Sequence, residues 1–85
     1  MLYSMITNHT MFNGRYDDSN ESSVLPRCTL AYDDVVILVE CRDHVRNFNS
    51  KDRPFKYIAV YHPVFGVCSD GMSVKMFETT FKRIK

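Results

Sequence analysis

Four residues have side chains and a spacing suited to a metal. Cys41 and His44 form a C-x2-H pair, and His62 with Cys68 supplies a second one. Structural zinc takes four nitrogen or sulfur ligands in a tetrahedron, usually as two tight pairs on turns. The first pair has that spacing. The second has five residues between its members, so a strand and its turn would have to aim both side chains inward. Cysteine is also among the most buried residue types, where it acts as a small hydrophobe. Two core thiols and exposed histidines are the simpler expectation, with no metal and no cofactor. The oxygen-rich run Asp17-Asp18-Ser19-Asn20-Glu21 lacks the central glycine and distal glutamate of a calcium loop. It reads as a solvated acidic segment.

Catalytic chemistry finds little support. Nucleophilic catalysis needs a Cys, Ser or Lys converging with a base and an acid in a pocket. The chain has no nucleophile elbow, no glycine-rich phosphate loop and no HExxH helix. At 85 residues it has little room for a deep cleft. The expectation is a protein that is not an enzyme.

Binding surfaces have more to draw on. The formal net charge of +1 is uninformative, but its distribution is uneven. Residues 1–40 carry a net −4 and residues 41–85 a net +5. Lys51, Arg53, Lys56, Lys75, Lys82 and Arg83 share the basic half with Tyr57 and Tyr61. Basic groups beside aromatic platforms are what small barrels use to hold single-stranded nucleic acid. In the acidic half, Asp17, Asp18, Glu21, Asp33 and Asp34 could imitate phosphate charge on a partner protein's basic surface.

Length sets one domain, residues 1–85. A hydrophobic fraction of 45% and an aromatic content of 13% provide a core and argue against a disordered chain. Three cysteines cannot all pair within one chain. "MLYSMITNHTMF" lacks the basic n-region, apolar h-region and small-residue cleavage site of a signal peptide. The longest apolar run, Val35 to Val39, is far too short to span a bilayer. Reduced thiols in a cytoplasm, with no membrane association, are expected.

The elements that must position these residues are short strands. Leu2 to Thr7 reads as a strand, and Asn13-Gly14 as a two-residue hairpin signal. Residues 17–23 and 46–54 are surface loops by composition. Residues 32–48 are ambiguous. The β-branched run Val35–Val39 favours a buried strand at 35–40, whereas Asp33 or Asp34 could cap a helix with Val35, Leu38, Val39, Val45 and Phe48 on one side. Residues 55–68 are rich in strand formers, with Tyr57, Ala59 and Tyr61 on one face and Ile58 and Val60 on the other. Pro63 forces a bulge or break, helped by Gly66. Ser69-Asp70-Gly71 is a turn by its own chemistry. Met72–Phe77 alternates like a strand, and residues 78–85 offer a short turn and a last strand with Phe81 and Ile84 directed inward.

The C-terminal half resembles a Src-homology-3-like or KOW-like small barrel. There a strand (Tyr57–Cys68), an acidic-glycine turn (Ser69-Asp70-Gly71), an alternating strand (Met72–Phe77), a helical turn (Glu78–Thr80) and a final strand (Phe81–Ile84) follow in order. Val35–Glu40 would be the first strand and 41–54 the long loop after it. The aromatic groove of the peptide-binding members is not recognisable, so a proline-peptide function does not carry over. In texture the chain also resembles small bacteriophage-encoded proteins that bind and redirect a host protein. The expected fold is mainly β, with β-rich α+β its neighbour: a small antiparallel sheet or barrel of four to six strands with at most one helix. The expected function is a non-enzymatic module, accessory or inhibitory, that binds another protein. Nucleic-acid binding by the basic half is the alternative.

Overall fold

Alternating apolar positions can be buried on only one side of a strand, and here they are gathered into one curled sheet. The computed structural model describes residues 1–15, 25–48 and 51–84, with side chains outside 44–48 and 51–54. Seven strands are described: β1 (Leu2–Met5), β2 (His9–Asn13), β3 (Arg27–Leu30), β4 (Val35–Phe48), β5 (Lys51–His62), β6 (Gly66–Met72) and β7 (Phe81–Arg83). One helix, α1 (Val74–Thr80), separates the last two strands. The strands form one antiparallel sheet in the order β3-β2-β6-β5-β4-β1-β7, curled into a half-barrel. The mainly β expectation holds, with seven strands in place of four to six.

The concave face holds the core. Met5, Met11, Cys28, Leu30, Val36, Ile58, Val60, Cys68, Met72 and Phe81 form one buried cluster. Tyr3, Leu38 and Phe77 pack against it. The Tyr3 ring meets Phe77 and Phe81 edge-on at 5.7 and 6.4 Å between centroids. As expected, Phe81 is inside, and β7 is tied into the sheet beside β1. Ile84 is not inside; it follows Phe81 by three residues, an odd step that turns it to the outer face, where it is exposed.

Residues 35–40 are strand, not helix, and Tyr57, Ala59 and Tyr61 share a face as their alternation required. Pro63 ends the pairing of β5, and Gly66, at φ +76°, begins β6 after the turn. A β-bulge at Val39 lies between the pairs Leu38↔Val60 and Glu40↔Ala59.

Four expectations about local structure also fail. Asn13-Gly14 is not a two-residue hairpin: Asn13 ends β2, and the chain runs on from Gly14 (φ +121°) to reach β3 only at Arg27. Residues 46–54 are not a loop, because β4 continues to Phe48 and β5 begins at Lys51. The loop read at 17–23 lies outside the described residues. Met72–Phe77 is not a strand, since the Ser73 hydroxyl accepts the Met76 N–H at 3.1 Å and starts α1.

Ser69-Asp70-Gly71 is the fourth. It lies inside β6, where Ser69, Asp70 and Gly71 pair with Ala59, Ile58 and Tyr57. Gly71 has no positive φ. Its requirement is space: a Cβ there would stand 2.2 Å from the tip of the Phe55 ring. The ring lies over the glycine from the diagonal position on β5, an aromatic cover for a strand glycine. Gly71→Ala should therefore displace Phe55 and cost about 1–3 kcal/mol. In a Phe55→Ala background the same substitution should cost little or nothing, measured by denaturant unfolding of all four proteins. An undiminished cost in that background would show that backbone conformation, not the ring, selects glycine.

Candidate functional site

Two histidine–carboxylate pairs join neighbouring parts of the sheet. His62 is buried, and its Nε2 lies 2.8 Å from Asp34 Oδ2. Its Nδ1 accepts the N–H groups of Val64 and Phe65 at 3.1 and 3.2 Å. Nδ1 thus has no room for a proton, and Nε2–H donates to Asp34. The ring also stacks on Phe65, 4.8 Å between centroids. One histidine in this way ties the β5–β6 turn to the β3–β4 turn. His9 makes the second pair, with Asp70 at 2.9 Å.

Asp34 is therefore structural. Besides His62 it accepts the Ala31 N–H at 3.0 Å. The His62 bond first, and the Ala31 bond second, hold its carboxyl below the usual aspartate range. Asp33 beside it is exposed and left-handed, at φ 71°, a conformation aspartate tolerates better than most residues. Of the acidic set read as a partner surface, Asp17, Asp18 and Glu21 lie outside the described residues, and Asp34 is committed inside the fold.

The three described side chains of the metal set are scattered. Against the expectation of core thiols and exposed histidines, Cys41 is exposed on β4 and His62 is buried and bonded to Asp34, while Cys68 is in the core; the His44 side chain lies outside the description. Among the described residues no three His, Cys, Asp or Glu side chains stand close enough to hold a metal. Cys68 instead faces Cys28, Sγ to Sγ at 3.2 Å. All three cysteines are free thiols. Burial first, and then the hydrogen bond with Cys68, pushes the Cys28 thiol up to about 12. A thiol held protonated is a poor nucleophile.

The basic residues are also divided. Lys56 donates to Asp43 at 2.7 Å, the main reason its ammonium pKa is raised. Tyr57 is buried beneath the Arg42 guanidinium, 4.6 Å from the ring centroid, and is no platform for a base. Lys75 is on α1, Lys82 and Arg83 are on β7, and all three are exposed. Lys51 and Arg53 lie on β5 in its outer part.

An arrangement that residue types did not foretell occupies the outer face. Leu2 pairs with Ile37, and Ile37 with Tyr61. Tyr61 pairs in turn with Val67, and just past β7 the Ile84 N–H donates to the Leu2 carbonyl at 2.9 Å. Ile84, Leu2, Ile37, Tyr61 and Val67 thus form one apolar row across five strands. Ile84, Leu2, Ile37 and Tyr61 are 39%, 46%, 46% and 48% exposed. Val35 and Val39 extend the row along β4, and both are exposed. The run Val35–Val39, read as a buried strand, is therefore buried on one side only. Its V-x-I-x-V alternation was the one sign of this row in the sequence.

No family model, curated protein or solved structure matches this chain.

Two outcomes follow. In native-state alkylation read by mass spectrometry, Cys41 should react while Cys28 and Cys68 wait for unfolding; labelling of Cys28 at the rate of Cys41 would contradict the packing. The second concerns acid. A carboxyl whose pKa is lowered by folding adds stability above its unfolded value, near 3.9. That stability is lost as pH falls through the lower folded value. Asp34→Asn should cost about 1 kcal/mol at neutral pH and should flatten the loss of melting temperature below about pH 4. Parallel melting curves of wild type and variant across that range would speak against it.

Proposed function

We propose that this chain is a non-enzymatic binding module, accessory or inhibitory, that modulates another protein through the outer apolar row. The observation that supports the reading is the row itself. The exposed parts of Leu2, Val35, Ile37, Val39, Tyr61 and Ile84 add up to on the order of 500 Å², at the upper end for the largest patch on a monomer. A chain gains nothing for its own stability by holding six apolar side chains in water.

Shape and charge define the partner. The row lies on the convex side of a curled sheet, so two copies placed row to row would touch along a narrow line. A concave apolar groove on a different protein fits it better. Lys82 is exposed on the outer side of β7 beside Ser4, near the Ile84 end of the row, which favours a carboxylate at that end of the groove. The patch falls short of the roughly 800 Å² per partner of a standard interface, so an association of moderate affinity is expected.

Ile37→Thr with Tyr61→Thr removes apolar surface while keeping good strand formers. The double variant should melt close to wild type and bind the captured partner at least about tenfold more weakly. Two results would sink the reading: equal partner binding by the variant, or a wild-type homodimer in sedimentation that the variant dissociates.

A further inference from the structure

Cys28 and Cys68 meet inside the core from strands that are not neighbours. Cys28 is on the edge strand β3 and Cys68 on β6, with β2 between them. On β2, Met11 stands opposite Cys28 and Asn13 opposite Cys68. On a flat sheet, strands separated by a third are about 9–10 Å apart, and thiols so placed do not touch. Here the curl turns both side chains inward. Both are buried, and their Sγ atoms stand 3.2 Å apart.

Their other contacts are long. Cys28 Sγ lies 3.8 Å from the Met11 carbonyl and Cys68 Sγ 3.6 Å from that of Gly66. The Asn13 amide approaches Cys68 Sγ at 3.9 Å. A thiol is a weak donor and a weak acceptor, so none of these contacts holds its sulfur firmly against movement. A disulfide bond is about 2.05 Å long, so joining the two sulfurs closes a gap of about 1.2 Å. The strand free to supply that movement is β3. It is bonded along one side only, through four residues, to β2, whereas β6 is fixed between β2 and β5.

We propose that Cys28 and Cys68 are a redox couple, and that their disulfide clamps the edge strand β3 onto β6. The oxidant is a small-molecule disulfide such as oxidised glutathione. One protein thiol gives up its proton and attacks a glutathione sulfur, releasing the first glutathione as a thiolate. The second protein thiol, likewise deprotonated, displaces the other glutathione from the mixed disulfide. Each departing thiolate takes up a proton, so one protein disulfide and two molecules of glutathione result. Burial keeps Cys28 protonated in the closed fold. The exchange therefore runs during folding or through molecules whose β3 has opened. Closing the loop from 28 to 68 restricts the unfolded chain and so stabilises the fold. The clamp also reaches past β3, because that strand leads into the turn where Asp34 holds His62. The inference is independent of the outer row and of the partner it binds.

The test uses Cys41→Ser, which removes the exposed thiol on β4 and leaves the buried pair. The unfolded protein is refolded in about 1 mM oxidised with 10 mM reduced glutathione, and separately in reduced glutathione alone. In the first buffer the intact mass should fall by two hydrogens, and peptide mapping should find the 28–68 bond in more than half of the molecules. The crosslinked form should melt at least about 5 °C above the reduced form. Dithiothreitol should return it to the lower melting temperature. Cys28→Ala in the same background should melt alike from both buffers. Should that variant fail to fold, the oxidised and reduced forms of the Cys41→Ser protein carry the comparison between them. The wild-type chain should form the same bond and leave Cys41 free. Thiols that stay free at that poise, a crosslinked form no more stable than the reduced one, or bonds to Cys41 in place of 28–68 would overturn the inference.

Discussion

A single sheet has to enclose its own core in this protein, because the described chain supplies no second sheet and only one seven-residue helix to cover it. Every inward side chain must then find its neighbours across the curl. Met5 and Phe81 pair at one side of the sheet, and Met11 and Cys28 pair at the other. Between them Val36, Ile58, Val60 and Cys68 line the concave wall. The contact between Cys28 and Cys68 is a product of that curl, since β2 lies between their strands. Helix α1 contributes Phe77 and Thr80 from its inner side and hands the chain to Phe81 without a loop.

The curl also explains why so much polar chemistry is structural. Where strands change direction, backbone groups lose their ladder partners, and side chains must replace them. His62 and Asp34 do this for two turns at once. Asn13 does it for Phe65 and Val67, donating to their carbonyls at 2.8 and 3.4 Å. Ser69 donates to the Gly14 carbonyl at 2.6 Å. Residues of the kind that make active sites are here the fasteners of a small core.

Local chemistry made some of this legible. The β-branched run at 35–39, the alternation at 57–61, the break at Pro63 and the inward Phe81 each follow from a property of one strand. What was not legible depends on a second strand. Gly71 looked like a turn residue, since nothing in Ser69-Asp70-Gly71 shows that Phe55 from β5 lies over it. Residues 46–54 looked like a loop because their sequence has no apolar alternation, although β4 and β5 pair through Phe48↔Lys51. Met72–Phe77 satisfies a period of two and a period of 3.6 almost equally, and the Ser73 cap decided between them. Grouping basic residues by sequence proximity put Lys56, which donates to Asp43, with Lys75 on α1 and Lys82 and Arg83 on β7.

The outer face is consequently zoned by register alone. At the end near β7 its row is Ile84, Leu2, Ile37, Tyr61 and Val67. One step along β4, Glu40 accepts Arg15 at 2.7 Å and Arg42 at 3.0 Å, and Arg27 lies over the Phe12 ring at 5.1 Å. One step further are Arg42 and Tyr57. Glu40 stands at the border and offsets charge where apolar surface gives way to basic surface. The bulge at Val39 is what keeps this division. Were Val39 to pair with Ala59 in a regular ladder, everything on β4 beyond it would slip by one against β5. Arg42 would then share a face with the core, and Asp43 would stand outside. The bulge thus fixes which charges this part of β4 presents.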